Sequence, residues 1–333
     1  MAGAVTARAS APARLDLAGG WTDVAPFATE RGGLVVNAAI ELRAHAEVEP
    51  GGAGFRLESR DLGRSVLAED AASLARPGEL ELLRAAVRAS GTGPCRVTTW
   101  ADAPPGSGLG CSGALDVALV AALDAVQEAR RPAVDLAEAG WRLETIEAGL
   151  PGGKQDQYAA ALGGFHRIEL DGDGVVVERL RLDPNFEAEL ARRTVVCYTG
   201  QSRVSSSTIE RVMSSYRRRE SRVTAALSAL VETADRMVAA LLAADLGAVA
   251  ALLSENWRWQ QALDDGMQTP GMARLESAMR DAGALGGKAA GAGAGGSMFF
   301  VMGGDPEPAI RAAAALGMTV LPLAWAGDGV RLW

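Results

Sequence analysis

The sequence predicts an α+β protein of two domains, residues 1–195 and 196–333. Three observations predict this. The opening 60 residues alternate short β-rich segments, a glycine-rich turn near residue 106 joins a strand to an apolar helix, and the chain becomes largely helical after residue 194. With 333 residues and 48% hydrophobic content, the chain can bury a full core. The boundary near residue 195 is placed by the change in pattern alone, because no long linker marks it.

The first predicted domain mixes strands and helices. Residues 10–23 contain too many polar and small residues for a core strand, so we expect a loop there. Helix ends are marked by glycine and proline, as at Gly149 and Pro151. In order, we expect strands at 5–9, 33–49 and 55–59, a helix at 79–89, a strand at 95–100, helices at 114–126 and 135–148, a short helix ending at 162, and strands at 165–170 and 175–182.

The second predicted domain is a strand followed by helices. Apolar residues at three- and four-residue spacing predict several helices between residues 204 and 282. A glycine-rich stretch, residues 283–296, then leads into a strand. The predicted elements here are strands at 194–198, 297–302 and 318–323 and a final helix at 306–316.

Residues 103–114, with the sequence APPGSGLGCSGA, are the most informative stretch. Three glycines in five residues let backbone N–H groups turn toward one point, and the following helix directs its positive end there. Such a turn is typical of phosphate binding. The candidate nucleotide contacts are Pro105, Gly106, Ser107, Gly108, Leu109, Gly110, Cys111, Ser112 and Gly113.

Two other phosphate-binding patterns fit less well. Gly287-Lys288 lacks the spacing of a P-loop, because Ala282 and Ala289 stand where glycine and Ser/Thr are required. The pattern G-x-G-x-x-G occurs at 108–113 and 291–296, but neither copy has the strand, helix and acidic residue of a dinucleotide fold. A nicotinamide dehydrogenase therefore stays open as a weaker alternative.

Composition narrows the function classes. A net charge of −8 without a basic stripe argues against a nucleic-acid partner. Three cysteines and two histidines, none at metal-ligand spacing, argue against a zinc site or a disulfide framework. We find no signal peptide and no membrane span in the sequence, which predicts a cytoplasmic protein without a membrane partner. A homodimer stays open.

Three segments, residues 14–23, 104–114 and 286–296, resemble in order the three motifs of the GHMP kinases. The middle segment resembles the phosphate loop of that family, with Cys111 in place of a serine, and Ala294 interrupts the third glycine run. The segments PGGKQDQY (151–158), YTGQSR (198–203) and GGK (286–288) are similar to the branch containing heptose 7-phosphate kinases and L-fucokinases. The resemblance implies an N-terminal domain like ribosomal protein S5 and a ferredoxin-like C-terminal domain.

The resemblance also implies ATP-dependent phosphoryl transfer, with Mg²⁺, to a sugar hydroxyl. Such transfer requires positioning and charge neutralisation more than covalent chemistry. Asp156, beside a glycine turn at a helix start, is the candidate for the carboxylate that accepts or orients the hydroxyl proton, and Arg14 for its basic partner. Ser112 and Glu144 are candidate Mg²⁺ ligands, with Glu147 as an alternative to Glu144. The candidate substrate contacts are Gly20, Trp21, Asp23, Gly153, Lys154, Lys288 and Gly293.

Several acceptors are consistent with these residues. The first choice is the anomeric C1 hydroxyl of D-glycero-D-manno-heptose 7-phosphate. Fucose or another unphosphorylated sugar is the alternative within the kinases, and a non-catalytic sugar or nucleotide sensor is the alternative outside them. The joint presence of Arg14, Ser112, Glu144 and Asp156 argues against the sensor, because binding alone does not require all four.

Overall fold

The computed structural model describes residues 5–172, 174–201 and 205–333. The motif positions Ser202 and Arg203, and Val204 at the predicted helix start, lie outside this range. The elements, in chain order, are β1 (Ala7–Ala18), α1 (Phe27–Arg31), β2 (Gly33–Pro50), β3 (Phe55–Ser59), β4 (Arg64–Ala68), α2 (Ala71–Leu74), α3 (Glu81–Ser90), β5 (Cys95–Ala101), α4 (Cys111–Val126), α5 (Ala133–Arg142), a π-helical turn (Leu143–Glu147), α6 (Gln155–Leu162), β6 (Phe165–Asp171), β7 (Gly174–Leu180), α7 (Pro184–Arg193), β8 (Thr194–Tyr198), α8 (Ser205–Arg217), α9 (Ser221–Leu242), α10 (Leu246–Gln261), α11 (Pro270–Asp281), β9 (Ala284–Ala289), β10 (Ser297–Met302), α12 (Glu307–Ala315), β11 (Thr319–Leu321) and β12 (Arg331–Leu332).

The first sheet is built around the long strand β2. On one side β2 pairs antiparallel with β1, and on the other its first half pairs with β6 and its second half with β5. Strand order is β12-β1-β2-β5-β3-β4, with β7 attached to β6. Helices α3 to α6 contribute to the apolar cluster that also holds residues of β1, β2, β3 and β5. This packing fixes the start of α4 beside the end of β1.

The second sheet has the order β11-β8-β10-β9 and is antiparallel throughout. A second apolar cluster combines residues of β1 and β2 with residues of α9, α10 and β10, so the two sheets share a core. A third cluster joins α8, α9 and α11 to β8 and β10. The short strand β12 returns to the first sheet and pairs with β1. The division of the chain at residue 195 stays a prediction.

The structure confirms the predicted α+β class and shows two sheets, but one local expectation is wrong. Residues 10–18 belong to β1, whose positions are almost all buried, rather than to a loop. The polar side chains that argued against a strand, Arg14 and Asp16, are 4% and 1% exposed, and each forms an ion pair with a distant residue. A buried charge is tolerated where it is paired and hydrogen-bonded.

Three further differences are local. Helix α4 begins at Cys111, three residues before the predicted start, so the phosphate-loop residues form its first turn. The predicted glycine loop at 283–296 begins with strand β9, in which Gly286 and Gly287 face β10. Helices α1, α2 and α7 and strands β4 and β12 were not expected from the sequence.

Candidate active site

A cleft of about 320 Å³ lies where the three glycine-containing segments meet. Its walls come from β1 and the turn after it, from residues 106–112, from residues 144–156, and from Gly291 and Ala292. The cleft therefore contains parts of all three motifs. Residues up to 278 positions apart in the chain, Arg14 and Ala292, therefore face one space.

One wall of the cleft is backbone. Gly106, Gly108 and Gly110 have φ angles of 70°, 77° and 75°, a region that L side chains rarely adopt. Gly110 is the N-cap of α4, so the first N–H groups of the helix have no intrahelical partner and no capping side chain. Free N–H groups at the positive end of a helix form an anion site.

The third glycine segment and the start of β10 contact this loop. Ser297 N donates a 2.7 Å hydrogen bond to Ser107 O. A Cβ on Gly108 would lie 2.8 Å from Ala290 O, so only glycine allows this approach. Gly291 O in turn accepts from Gln260 Nε2 at 2.7 Å. The second sheet thus sets the position of the phosphate loop.

Arg14 joins the phosphate loop to Asp156. Its Nε donates to Asp156 Oδ1 at 2.8 Å, and its Nη1 donates to Gly108 O at 2.8 Å. The Arg14 backbone N–H also donates to Leu109 O. The Arg14 side chain is 5% exposed and that of Asp156 is 27% exposed. The structure therefore brings both predicted catalytic residues together at the edge of the loop.

Asp23 lines the cleft near Asp156. Its Oδ2 accepts from Gln155 N at 3.1 Å. Burial, together with the charges of Asp156 and Asp16, raises the pKa of Asp23 to about 6. A Cβ on Gly153 would collide with the Asp23 carboxylate, so this glycine allows the turn to pass over it.

Ser112 and Glu144 also line the cleft and are in contact with each other. Ser112 Oγ donates to Glu144 Oε1 at 3.0 Å, and Gln157 Nε2 donates to Glu144 Oε2 at 2.7 Å. Burial and the nearby Asp156 charge raise the pKa of Glu144 to about 7. A hydroxyl beside a carboxylate fits a hard cation such as Mg²⁺. Glu147, the sequence alternative, is exposed and does not line the cleft.

No group of three or more Asp, Glu, His or Cys side chains forms a metal cluster within the part of the chain that the structure describes. A cation held by Ser112 and Glu144 would therefore depend on ligands from outside the protein, such as phosphate oxygens and water. Mg²⁺ commonly binds in this way.

Lys288 does not contact the cleft, and its predicted role as a substrate contact is wrong. Its side chain is fully buried, and its Nζ lies 2.8 Å from both Asp16 Oδ2 and Asp16 O. Asp16, in contrast, lines the cleft. The lysine of β9 thus compensates the charge of a carboxylate on β1, a role that needs the folded structure to be visible.

Two further predicted substrate contacts lie away from the cleft. Lys154 Nζ donates to Glu138 Oε1 at 2.8 Å and lies 4.3 Å from the ring centre of Trp141. This ion pair and cation–π contact hold its ammonium group elsewhere. Gly293 packs against Met267 instead, while Gly291 and Ala292 form the cleft wall.

Some of the remaining predicted residues line the cleft, and the others lie next to residues that line it. Trp21 lines the cleft but is only 4% exposed and belongs to an apolar cluster. Gly20 lies against the Asp16 carboxylate. Cys111 lines the cleft, and its Sγ lies 3.8 Å from Ser107 Oγ. Pro105, Leu109 and Gly113 belong to the loop without lining the cleft.

Sequence reasoning missed four polar residues of this region: Asp16, Asp116, Gln155 and Gln157. Gln155 and Gln157 flank Asp156, and their side chains contact Asp23 and Glu144 respectively. Two glutamines around an acidic residue at a helix start were a usable signal, because glutamine amides are common partners of buried carboxylates.

Comparison with known proteins agrees with this geometry. The sequence profile described as GHMP kinases N terminal domain matches residues 79–164, and that described as GHMP kinases C terminal matches residues 237–317. D-glycero-alpha-D-manno-heptose 7-phosphate kinase of Campylobacter jejuni is 31% identical over 98% of this chain and 99% of its own length. The bifunctional fucokinase/GDP-fucose pyrophosphorylase of Arabidopsis thaliana is 30% identical over 76% of this chain and 26% of its own length.

A solved structure supports the same assignment. The crystal structure of a D-glycero-D-manno-heptose 1-phosphate kinase from Bacteroides thetaiotaomicron has a TM-score of 0.79, with 29% identity and 98% coverage of both chains. Among the described residues, no helix is both long and apolar enough to cross a membrane. The family resemblance and the two-domain fold are confirmed, and the chain belongs to the GHMP kinases.

Proposed function

We propose that the protein transfers the γ-phosphoryl group of ATP to a sugar hydroxyl, with the anomeric hydroxyl of D-glycero-D-manno-heptose 7-phosphate as the first acceptor to test. The observation that carries the proposal is the Arg14 bridge. One guanidinium contacts both Asp156 and the phosphate-loop carbonyl of Gly108, so the candidate catalytic carboxylate and the candidate ATP site are adjacent.

Each wall of the cleft has a separate role in this proposal. The N–H groups at the start of α4 bind the ATP phosphates, and Asp156 accepts or orients the proton of the attacking hydroxyl. Arg14 offsets the negative charge that develops on the transferred group. Asp23 accepts hydrogen bonds from sugar hydroxyls. Ser112 and Glu144 would hold Mg²⁺, which neutralises phosphate charge when bound.

One observation favours a second candidate acceptor, an unphosphorylated sugar such as fucose. Among the described residues that line the cleft, Arg14 is the only basic one, and it is already paired with Asp156. Lys154 and Lys288, the lysines considered for a substrate phosphate, are paired elsewhere. The described part of the cleft therefore offers no unpaired cation for a 7-phosphate.

A sugar panel tests the proposal. Release of ADP from MgATP is measured with the heptose 7-phosphate, the unphosphorylated heptose, L-fucose and D-mannose, with ATP alone as the blank. We expect sugar-dependent ADP release, and mass spectrometry of the product to show one added phosphoryl group. The comparison of kcat/KM between the two heptoses decides whether the 7-phosphate is recognised.

Binding of a sugar without any turnover would contradict the kinase proposal and favour the sensor. ADP release that is equal with and without sugar would contradict it too.

A further inference from the structure

A buried amide joins two carboxylates behind the cleft. Gln157 on α6 is fully buried, and its Nε2 donates to Asp116 Oδ2 at 3.1 Å and to Glu144 Oε2 at 2.7 Å. Asp116 lies on α4 and is fully buried, while Glu144 lies in the π-helical turn. Both hydrogens of one NH₂ group are therefore used, one on each carboxylate.

The Gln157 side chain is held tightly between helices. A Cβ on Gly113 of α4 would lie 3.2 Å from Gln157 Cδ, and one on Gly140 of α5 would lie 3.3 Å from Gln157 Cγ. A side chain at either glycine would require its neighbours to shift. Because protein interiors are close-packed, the amide is confined to one position.

Asp116 determines which end of the amide faces Glu144. An amide has a donor end and an acceptor end, and only the NH₂ end can serve two carboxylates. Asp116 is fully buried, and a carboxyl group in such a place is unfavourable without a hydrogen-bond partner. Neither Asp116 nor Gln157 lines the cleft, so direct contact with a substrate does not explain their presence.

We infer that Asp116 and Gln157 are positioning residues, which hold the Glu144 carboxylate so that Oε1 faces Ser112 and the pair is ready to bind a divalent cation. The inference rests on the proposed kinase function. Asp116 fixes the amide of Gln157, and that amide fixes Oε2 of Glu144, leaving Oε1 for Ser112. Residues that orient metal ligands in this way commonly change metal affinity when replaced.

The test measures cation affinity directly. Mn²⁺ replaces Mg²⁺, and the non-hydrolysable analogue AMPPNP replaces ATP. The concentration of free Mn²⁺ is measured by electron paramagnetic resonance. In Asp116→Asn the new amide can donate to Gln157 Oε1, which allows the Gln157 amide to turn its oxygen toward Glu144. We expect Mn²⁺ affinity to fall about tenfold, with metal-free AMPPNP affinity unchanged.

A matched control lies on the same helix. Asp124→Asn also removes a buried α4 carboxylate, one that is paired with Arg131 at 2.8 Å rather than with the cleft. We expect this variant to bind Mn²⁺ as the unmodified protein does. Gln157→Met, which keeps side-chain length without a donor, should weaken Mn²⁺ binding at least as much as Asp116→Asn, and it decides the question if Asp116→Asn does not fold.

Unchanged Mn²⁺ affinity in folded Asp116→Asn and Gln157→Met would overturn the inference, as would an equal loss in Asp124→Asn. Failure of the kinase proposal looks different. In that case the unmodified protein itself would show no sugar-dependent ADP release, whatever the Mn²⁺ affinities of the variants.

Discussion

Two parts of the cleft, which we call the nucleotide wall and the acceptor wall, are built on different principles. The nucleotide wall, residues 106–113, carries no ionisable carboxylate or amine, and its binding groups are backbone amides presented by positive-φ glycines. The acceptor wall carries one cation and three carboxylates, Arg14, Asp16, Asp23 and Asp156, and a fully buried lysine on β9 supports it.

The difference shows which part of the site lowers the stability of the folded protein. Backbone amides at a helix start are unpaired in any helix, so the nucleotide wall adds little cost. Burying carboxylates is unfavourable, and the raised pKa of Asp23 records that cost. Destabilisation should therefore concentrate on the acceptor wall, and changes there should affect turnover and stability more than nucleotide binding.

The largest expected effect is on turnover in Asp156→Asn. The variant keeps the size of the side chain but cannot accept a proton, so kcat should fall by about 10² to 10⁴-fold. AMPPNP affinity, measured by calorimetry, should change less than about twofold, because the nucleotide wall is untouched.

Asp135→Asn is the matched control for Asp156→Asn, since Asp135 also lies in the first turn of a helix, away from the cleft. Its kcat should be unchanged. Retained turnover in Asp156→Asn would contradict the catalytic role of Asp156, and with it the expectation that changes in the acceptor wall affect turnover.

The next effect is on stability in Lys288→Met. Asp16 would be left buried without its cation, which costs about 3 to 5 kcal/mol of unfolding free energy. Lys154→Met is the control, because its pair with Glu138 is partly exposed, and it should cost no more than about 1 kcal/mol. Urea unfolding measures both values, and similar losses would show that the buried pair has no special role.

A third effect depends on pH. In the native state Asp23 keeps its proton up to about pH 6, whereas an unfolded aspartate loses it near pH 4. The native state therefore binds more protons between these values, and its stability falls as pH rises from about 4 to 6. Asp23→Asn should remove this fall and be more stable at pH 7.5 by up to about 3 kcal/mol, with little difference at pH 4.

The Asp23→Asn substitution is suited to the site, because the unpartnered Oε1 of Gln155 can accept from the new amide. The control is Asp70→Asn, at an exposed N-cap where hydrogen bonds from Ser73 lower the pKa of Asp70. It should have the opposite sign, losing stability near pH 7 and little near pH 3. Thermal unfolding across pH measures both, and the same slope in the two variants would contradict the assignment.

The smallest expected effect is on nucleotide affinity in Gly108→Ala, a change in the nucleotide wall. Gly108→Ala places a Cβ at a φ of 77° and 2.8 Å from Ala290 O, so we expect AMPPNP affinity to fall. Gly91→Ala has a similar φ of 67° but open space around it, so it carries only the backbone cost of about 1 kcal/mol. Equal AMPPNP affinity in the two variants would show that the loop tolerates displacement.

The sequence was informative where the relevant interactions are local. The glycine turn and the helix after it are adjacent in the chain, so their composition predicted the nucleotide wall. The same reasoning gave the wrong structure for residues 10–18, because the partners of Arg14 and Asp16 are 142 and 272 positions away. It also left Asp116 unnoticed, since an aspartate in an apolar helix has no visible partner until α6 packs beside it.

The sequence by itself determined the family, the order of most elements and the residues that bring N–H groups to one point, because these depend on neighbours in the chain. Only the tertiary structure decided which charges face the cleft and which are neutralised beneath it. Lys288 and Asp16 show the reason: burial and pairing depend on which strands and helices lie together, and sequence distance carries no information about that.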